Sequence, residues 1–188
     1  RHFNFIVDAM PFKEKENQLV WRGGAYQPHR VQFLRDFFSH SSCNVAQVTD
    51  ASAYAYGDYM SLQDQLKYKF ILCIEGNDVA TNLKWAMSSN SVCMMVKPRY
   101  ETWFMEGSLR AGVHYVELAD DYSDLEEKIQ YYSVHTEEAL EITRQAHQYV
   151  LQFQNPLLDH QRTHYLISKA LCAFRLYYTL LHKIHQHF

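Results

Sequence analysis

From Lys69 to Trp85 the chain reads Lys-Phe-Ile-Leu-Cys-Ile-Glu-Gly-Asn-Asp-Val-Ala-Thr-Asn-Leu-Lys-Trp. Five apolar residues, Phe70 to Ile74, turn on Gly76 into a segment of helical spacing. A strand that turns on glycine into a helix N-terminus offers an anion free backbone N–H groups and the positive end of the helix dipole. An ordinary β–α turn has the same spacing, so the pattern permits phosphate binding without requiring it. A second bend of this kind is Trp21-Arg22-Gly23-Gly24, and Arg30 lies in the segment beyond it. A guanidinium at the end of a strand can grip a diphosphate through two parallel hydrogen bonds, or it can form a surface ion pair.

The elements that must position these residues follow from pattern. Strands are expected at Leu19–Arg22, Val45–Val48, Phe70–Ile74, Ser91–Val96 and His114–Leu118. Pro28 opens a helix running through Phe38, with Val31, Leu34, Phe37 and Phe38 on its inner face. Asp50–Met60 has no clear period and reads as a loop, and Ser61 caps a short helix reaching Tyr68. A helix is expected over Val79–Ser88, capped by Asn77 or Asp78, and one or two helical turns over Tyr100–Met105. Asp120, Asp121 and Ser123 precede a helix with Leu125 and Ile129 facing inward. Thr136-Glu-Glu starts another that runs to Phe153, and a last helix follows the break at Pro156, over Asp159–His182. Continuously apolar strands alternating with helices indicate an α/β fold, a Rossmann-like parallel sheet flanked by helices. Ligands of such sheets bind beyond the carboxyl ends of the strands, where both glycine bends fall.

A chain of 188 residues suffices for one well-packed domain, and 47% hydrophobic and 15% aromatic content argues for a globular core. The 14 tyrosines suit half-buried recognition surfaces. The formal net charge of -3 and the lack of a basic patch argue against nucleic acid as a partner. No apolar stretch reaches membrane-spanning length, and Arg1–Asp8 lacks the regions of a signal peptide. The chain opens in an apolar segment without Met, as the middle of a fold would, so an upstream part is expected. Cys43, Cys73, Cys93 and Cys172 form no CxxC pair and read as buried free thiols. The 11 histidines are scattered, with His182, His185 and His187 near the C-terminus, and neither HExxH nor DxD occurs, so no metal is expected.

Four ordered segments resemble glycosyltransferase family 90, which includes Rumi-type protein O-glucosyltransferases, fungal capsule-associated enzymes and bacterial lipopolysaccharide-modifying enzymes. They are Trp21-Arg22-Gly23-Gly24 with Gln27-Pro28-His29-Arg30; Lys67-Tyr68-Lys69-Phe70 with Glu75-Gly76 and Leu83-Lys84; Ser91-Val92 with Tyr100-Glu101; and Val113-His114-Tyr115-Val116. The resemblance implies the C-terminal, donor-binding half of a GT-B enzyme that is metal-independent, inverting and free of cofactors. Its substrate would be a nucleotide sugar, UDP-linked, and its acceptor a hydroxyl of a glycan or lipopolysaccharide. A cytoplasmic place at the inner face of the membrane, with peripheral membrane association, accompanies that reading. Residues 1–16 would end an upstream domain or linker, 17–155 would bind the nucleotide sugar, and 156–188 would form a helix packing across the domain.

On this resemblance the donor-binding candidates are Arg22, Gly23, Arg30, Glu75, Gly76, Asn77, Asp78, Asn82, Lys84 and Glu101. Gly76 would allow close backbone approach or a positive φ. Lys84 would meet phosphate or be a solvated helix residue. Glu101 would accept from ribose hydroxyls or favour a helix N-terminus. His114 reads as structural. Two departures stand out: Ala80 and Asn82 replace a Ser and an Arg of the Rumi branch, and Gly24-Ala25 replaces a Ser-Arg pair. The catalytic base is expected upstream and matches no residue here. The alternative is a Rossmann-like binding or assembly module that has lost transferase activity.

Overall fold

The computed structural model describes residues 5–50 and 52–154. The chain divides into two compact units, residues 1–150 and 151–188. In the first, a parallel sheet is built from β1 (Glu16–Gly23), β2 (Cys43–Gln47), β3 (Tyr68–Leu72), β4 (Val92–Val96) and β5 (Val116–Leu118). Their order is β2-β1-β3-β4-β5. Helices α1 (Pro28–Phe37), α2 (Leu62–Gln65), α3 (Leu83–Met87), α4 (Leu125–Val134) and α5 (Thr136–Gln154), with 3-10 turns at Phe12–Glu14 and Glu106–Ser108, complete the described elements. The expected parallel α/β architecture is what forms. Of the second unit, 151–154 are described, as the end of α5.

The central strands are apolar along their inner stretches, Leu19–Trp21, Phe70–Leu72 and Val92–Val96, because both of their faces are covered there. Leu19, Val20, Phe70, Ile71, Leu72, Val92 and Met94 are fully buried. Their register sets Leu19 beside Phe70 and Phe70 beside Val92. The Cys73 and Cys93 thiols lie 3.3 Å apart in this core, and Cys43 is also buried and free. Helix α1 starts on Pro28 and buries Phe33 and Leu34. Val31, expected on that inner face, stays exposed, while Phe37 and Phe38 are partly buried. Leu125 and Ile129 of α4 face inward as expected. Ser61 caps α2 by accepting from Asp64 N.

The chain goes from β1 to β2 on one side and then crosses to β3 on the other. That reversal opens a crevice beyond the carboxyl ends of β1 and β3, the place where doubly wound sheets hold ligands.

Residues 5–15 belong to the first unit. Asp8 and Lys15 form a buried ion pair of 2.8 Å, the Asn90 backbone and side chain both bond to Asp8, and Phe12 packs edge-on to Phe70. The helix expected over Val79–Ser88 is shortened to Leu83–Met87. Its anticipated first turn is irregular, because the Asn82 amide reaches back to the Leu72 carbonyl at 2.8 Å and Val79 and Ala80 are buried against the fold. Over Tyr100–Met105 there is no helix but a turn closing on Met105 in the left-handed region (φ 56°), followed by a 3-10 turn at Glu106–Ser108. The helix expected over 159–182, the break at Pro156, Cys172 and the histidines at 182, 185 and 187 lie outside the described residues.

Candidate functional site

The sequence Trp-Arg-Gly-Gly at the end of β1 builds one wall of the crevice. The Trp21 ring lies so close to Gly23 that a Cβ there would stand 2.6 Å from it. A side chain at position 23 would therefore displace the indole. Arg22 donates from Nε to the Asp58 carbonyl at 3.2 Å, from Nη1 to the carbonyls of Trp21 (3.0 Å) and Asn44 (2.7 Å), and from Nη2 to Asn44 Oδ1 at 2.6 Å.

Arg30, at the start of α1, ties this wall to the next. It donates from Nη1 to the Gly24 carbonyl at 2.9 Å, from Nη2 to Ile74 at 2.8 Å and from Nε to Glu75 at 2.9 Å. One guanidinium thus links the bend after β1 to the bend after β3. It also lies 5.6 Å from the centre of the Trp21 ring, within cation–π range. Its edge packs on Gly76, where a Cβ would stand 3.0 Å from Nη2. Of the two reasons foreseen for glycine at 76, close approach is therefore the operative one.

These bends enclose a cavity of about 460 Å³. Arg22, Gly23, Gly24 and Arg30 line one side, Ile74, Thr81, Asn82 and Trp85 another, and Thr49, Tyr59 and Gln65 contribute polar groups. Among the described residues, none that lines the cavity is an Asp or Glu. Neither arginine forms an ion pair with a carboxylate among the described residues. Burial holds both guanidinium pKa values below the ordinary arginine value. Tyr68 and then the Asp58 carboxylate oppose burial at Arg22, and Tyr122 does so at Arg30. Two cations bonded to neutral oxygens, with no acid beside them in the cavity, form a site that attracts a polyanion.

Four of the ten candidates line this cavity: Arg22, Gly23, Arg30 and Asn82. Glu75 and Gly76 instead line a smaller cavity of about 160 Å³ across the bend, with His29, Arg99, Tyr100 and Asp120. The Glu75 carboxylate accepts from the backbone N–H groups of Arg99 and Tyr100 and so fixes the loop after β4. Asn77 accepts from Gln27, and Asp78 accepts from the Val79 N–H next to it, so neither caps α3. The N-cap position of α3 is Asn82, whose side chain makes no capping bond. Gly76 consequently does not open a helix, and the dipole argument for an anion there does not apply. Glu101 is exposed and lines neither cavity, with its carboxylate beside Gly107.

Lys84 is neither a cavity residue nor a solvated one. Its ammonium is buried and pairs with Glu106 at 2.8 Å, between the rings of Trp103 and Phe104. Burial raises the Glu106 carboxyl pKa, but bonds from Lys84 and from Thr102 outweigh that and leave it below the ordinary glutamate value. His114 is structural, accepting at Nδ1 from the Arg110 N–H.

Sequence reasoning missed Trp21 as a cavity wall, and Thr49, Gln65, Thr81, Trp85 and Asn44. Trp21 was visible inside the motif, and Thr81 and Trp85 flank candidate residues. Thr49 and Gln65 carry no local signal, since only the tertiary fold brings them to the crevice, and Asn44, which does not line it, meets Arg22 through the pairing of β1 with β2. Among the described residues no group of three His, Cys, Asp or Glu side chains converges to hold a metal ion. No described helix is long and apolar enough to cross a membrane.

The sheet order and the crevice at its reversal define a Rossmann-like α/β domain with a cleft lined by two arginines. Residues 6–157 match glycosyl transferase family 90, and the chain belongs to that family. It is 47% identical over 183 residues to O-glucosyltransferase LpsA of Dichelobacter nodosus, a match covering 96% of this chain and 55% of the relative. It is 25% identical over 171 residues to Protein O-glucosyltransferase 2 of Danio rerio, covering 87% of this chain and 32% of that protein. The chain thus spans about half the length of the first relative and a third of the second.

Proposed function

We propose that this chain is the donor-binding part of a glycosyltransferase that moves a sugar from a nucleotide sugar to a hydroxyl acceptor. The observation that carries the reading is the cavity between the β1 and β3 bends, where the described residues place two arginines and no carboxylate. The diphosphate of the donor would lie there. Arg22 retains one Nη2 N–H and Arg30 retains two N–H groups without an acceptor among the described residues. Such fixed donors stabilise a leaving diphosphate electrostatically, in a site already organised to receive charge. The names of the relatives, both O-glucosyltransferases, support a glucosyl donor, which we take to be UDP-linked. We further propose GT-B organisation, inversion without a metal, an acceptor on lipopolysaccharide or another surface glycan, and action at the cytoplasmic face of the membrane.

One observation favours a second reading. Among the described residues, the cavity offers no carboxylate to deprotonate an acceptor hydroxyl. The base of the transferase reading must come from outside the residues that line it, and without one the domain is a binding module. Calorimetric titration of the intact protein with UDP and UDP-glucose, beside a transfer assay, separates the two. Binding with sugar transfer to a glycan acceptor is the expected result, and binding without transfer to any glycan tested favours the module. In either case Arg22→Ala should weaken UDP affinity by at least about tenfold. Unchanged affinity in that variant removes the diphosphate from this cavity.

A further inference from the structure

Arg22 is held chiefly by one residue of the neighbouring strand. Asn44 of β2 takes Nη1 on its backbone carbonyl at 2.7 Å and Nη2 on its side-chain Oδ1 at 2.6 Å. Its own Nδ2 donates to the Tyr68 hydroxyl of β3 at 2.6 Å. The carboxamide is therefore anchored from one flanking strand to the other, across β1, before it meets the guanidinium. Lone surface arginines do not require such a brace.

The chemistry of the brace is informative. An aspartate has the same shape as asparagine and makes shorter, stronger bonds to a guanidinium. If holding Arg22 were the only requirement, a carboxylate would serve better, and Tyr68 could turn its hydroxyl to donate to it. A carboxylate would, however, cancel the charge that the cavity presents.

We infer that Asn44 is a positioning residue for the anion site: it fixes the fork of Arg22 while leaving its positive charge uncancelled. The inference rests on the reading of this cavity as a diphosphate site. It accounts for the neutral acceptors around Arg22 and assigns a role to a residue 22 positions away in sequence.

The test compares Asn44→Asp, Asn44→Ala and Arg22→Ala in the intact protein, reading UDP and pyrophosphate affinity by calorimetry and Tm by thermal melting. Asn44→Asp should fold with Tm equal to or above that of the wild type, yet bind both ligands at least about tenfold more weakly. Asn44→Ala keeps the charge and loses the fork's anchor, so its affinity should fall less, by roughly threefold. A purely structural asparagine gives the opposite pattern, in which affinity follows Tm and Asn44→Asp binds like the wild type. That result overturns the inference, as does an Asn44→Asp protein that does not fold. If Arg22→Ala weakens binding and Asn44→Asp does not, the role of Asn44 falls while the diphosphate reading stands. If Arg22→Ala leaves affinity unchanged, both fall.

Discussion

The Arg30 guanidinium rests on the backbone of Gly76, so that a Cβ on that glycine would stand 3.0 Å from Nη2 and 3.3 Å from Cζ. The same guanidinium is fixed by carbonyls on both bends, Gly24 on one and Ile74 and Glu75 on the other. The glycine is thus required by a side chain from another element and not by its own φ. The two glycine bends, which the sequence places on one edge of the sheet, are clasped together by this guanidinium.

Gly76→Ala should therefore act through Arg30. The added methyl must push a thrice-bonded guanidinium by a few tenths of an ångström, and overpacking of this sort costs about 1–3 kcal/mol. In a double-mutant cycle the penalty should largely vanish when Arg30 is already alanine, because the colliding group is gone. Urea denaturation of the four proteins gives the coupling, and additive effects would dissociate the pair.

Arg30→Lys keeps the charge but loses the fork. An ammonium can satisfy at most part of the three-carbonyl set, and each carbonyl left without a donor costs about 1–3 kcal/mol. We expect a lower denaturation midpoint together with weaker UDP binding, although the net charge of the cavity is unchanged. Retention of full UDP affinity in Arg30→Lys would show that charge alone, without the clasp, is enough.

The buried pair Lys84–Glu106 joins α3 to the turn after β4 through a contact with both side chains about 1% exposed. Lys84→Met leaves the Glu106 carboxylate buried without its cation and should cost about 3–5 kcal/mol. Replacing both partners, as Lys84→Met with Glu106→Leu, should recover much of that loss, since a well-packed apolar pair avoids the desolvation of two charges. Thr102 limits the recovery, because its N–H and hydroxyl also bond to Glu106. UDP affinity should be reduced little by the double variant, a result that would separate Lys84 from the phosphate role expected of it.

The architecture was legible because burial on both faces writes itself into the strands. Phe70–Ile74 and, after Ser91, Val92–Val96 are apolar without a break, and the structure gives β3 and β4 there, displaced by a residue or two. The front of β1 was not legible: Glu16, Asn17 and Gln18 are polar and pair near the exposed, amino-terminal edge of the sheet. Helix α3 was overextended because Val79 and Ala80 are apolar at helical spacing, whereas they are buried by the turn that Asn82 pins to Leu72. In the site, Arg22 and Arg30 could be found from the glycine bends beside them. The Arg22–Asn44 brace could not, nor, outside the cavity, could the Lys84–Glu106 pair, since the partners in each are 22 residues apart and only the fold brings them together.

Acid sensitivity should reveal the state of Glu106. Its pKa lies below the ordinary value of 4.5, so the folded protein binds that proton less readily than the unfolded chain does. The stability this group contributes is present above that ordinary value and is lost as the pH falls through the depressed folded value. Exposed acids such as Asp50, Asp64, Asp121 and Glu141 are depressed as well, Glu141 to about 2, so the whole protein weakens in acid. Their contribution is common to wild type and Glu106→Gln and cancels in the comparison. Glu106→Gln should be less stable than the wild type at neutral pH, with the gap between the two narrowing as the pH drops below about 4.5. Unfolding free energies from urea titrations at stepped pH measure that gap directly. A gap that stays constant down to pH values of about 3 would mean that Glu106 titrates alike in the folded and unfolded chains, and the Lys84 ion pair would then have to be abandoned as the cause.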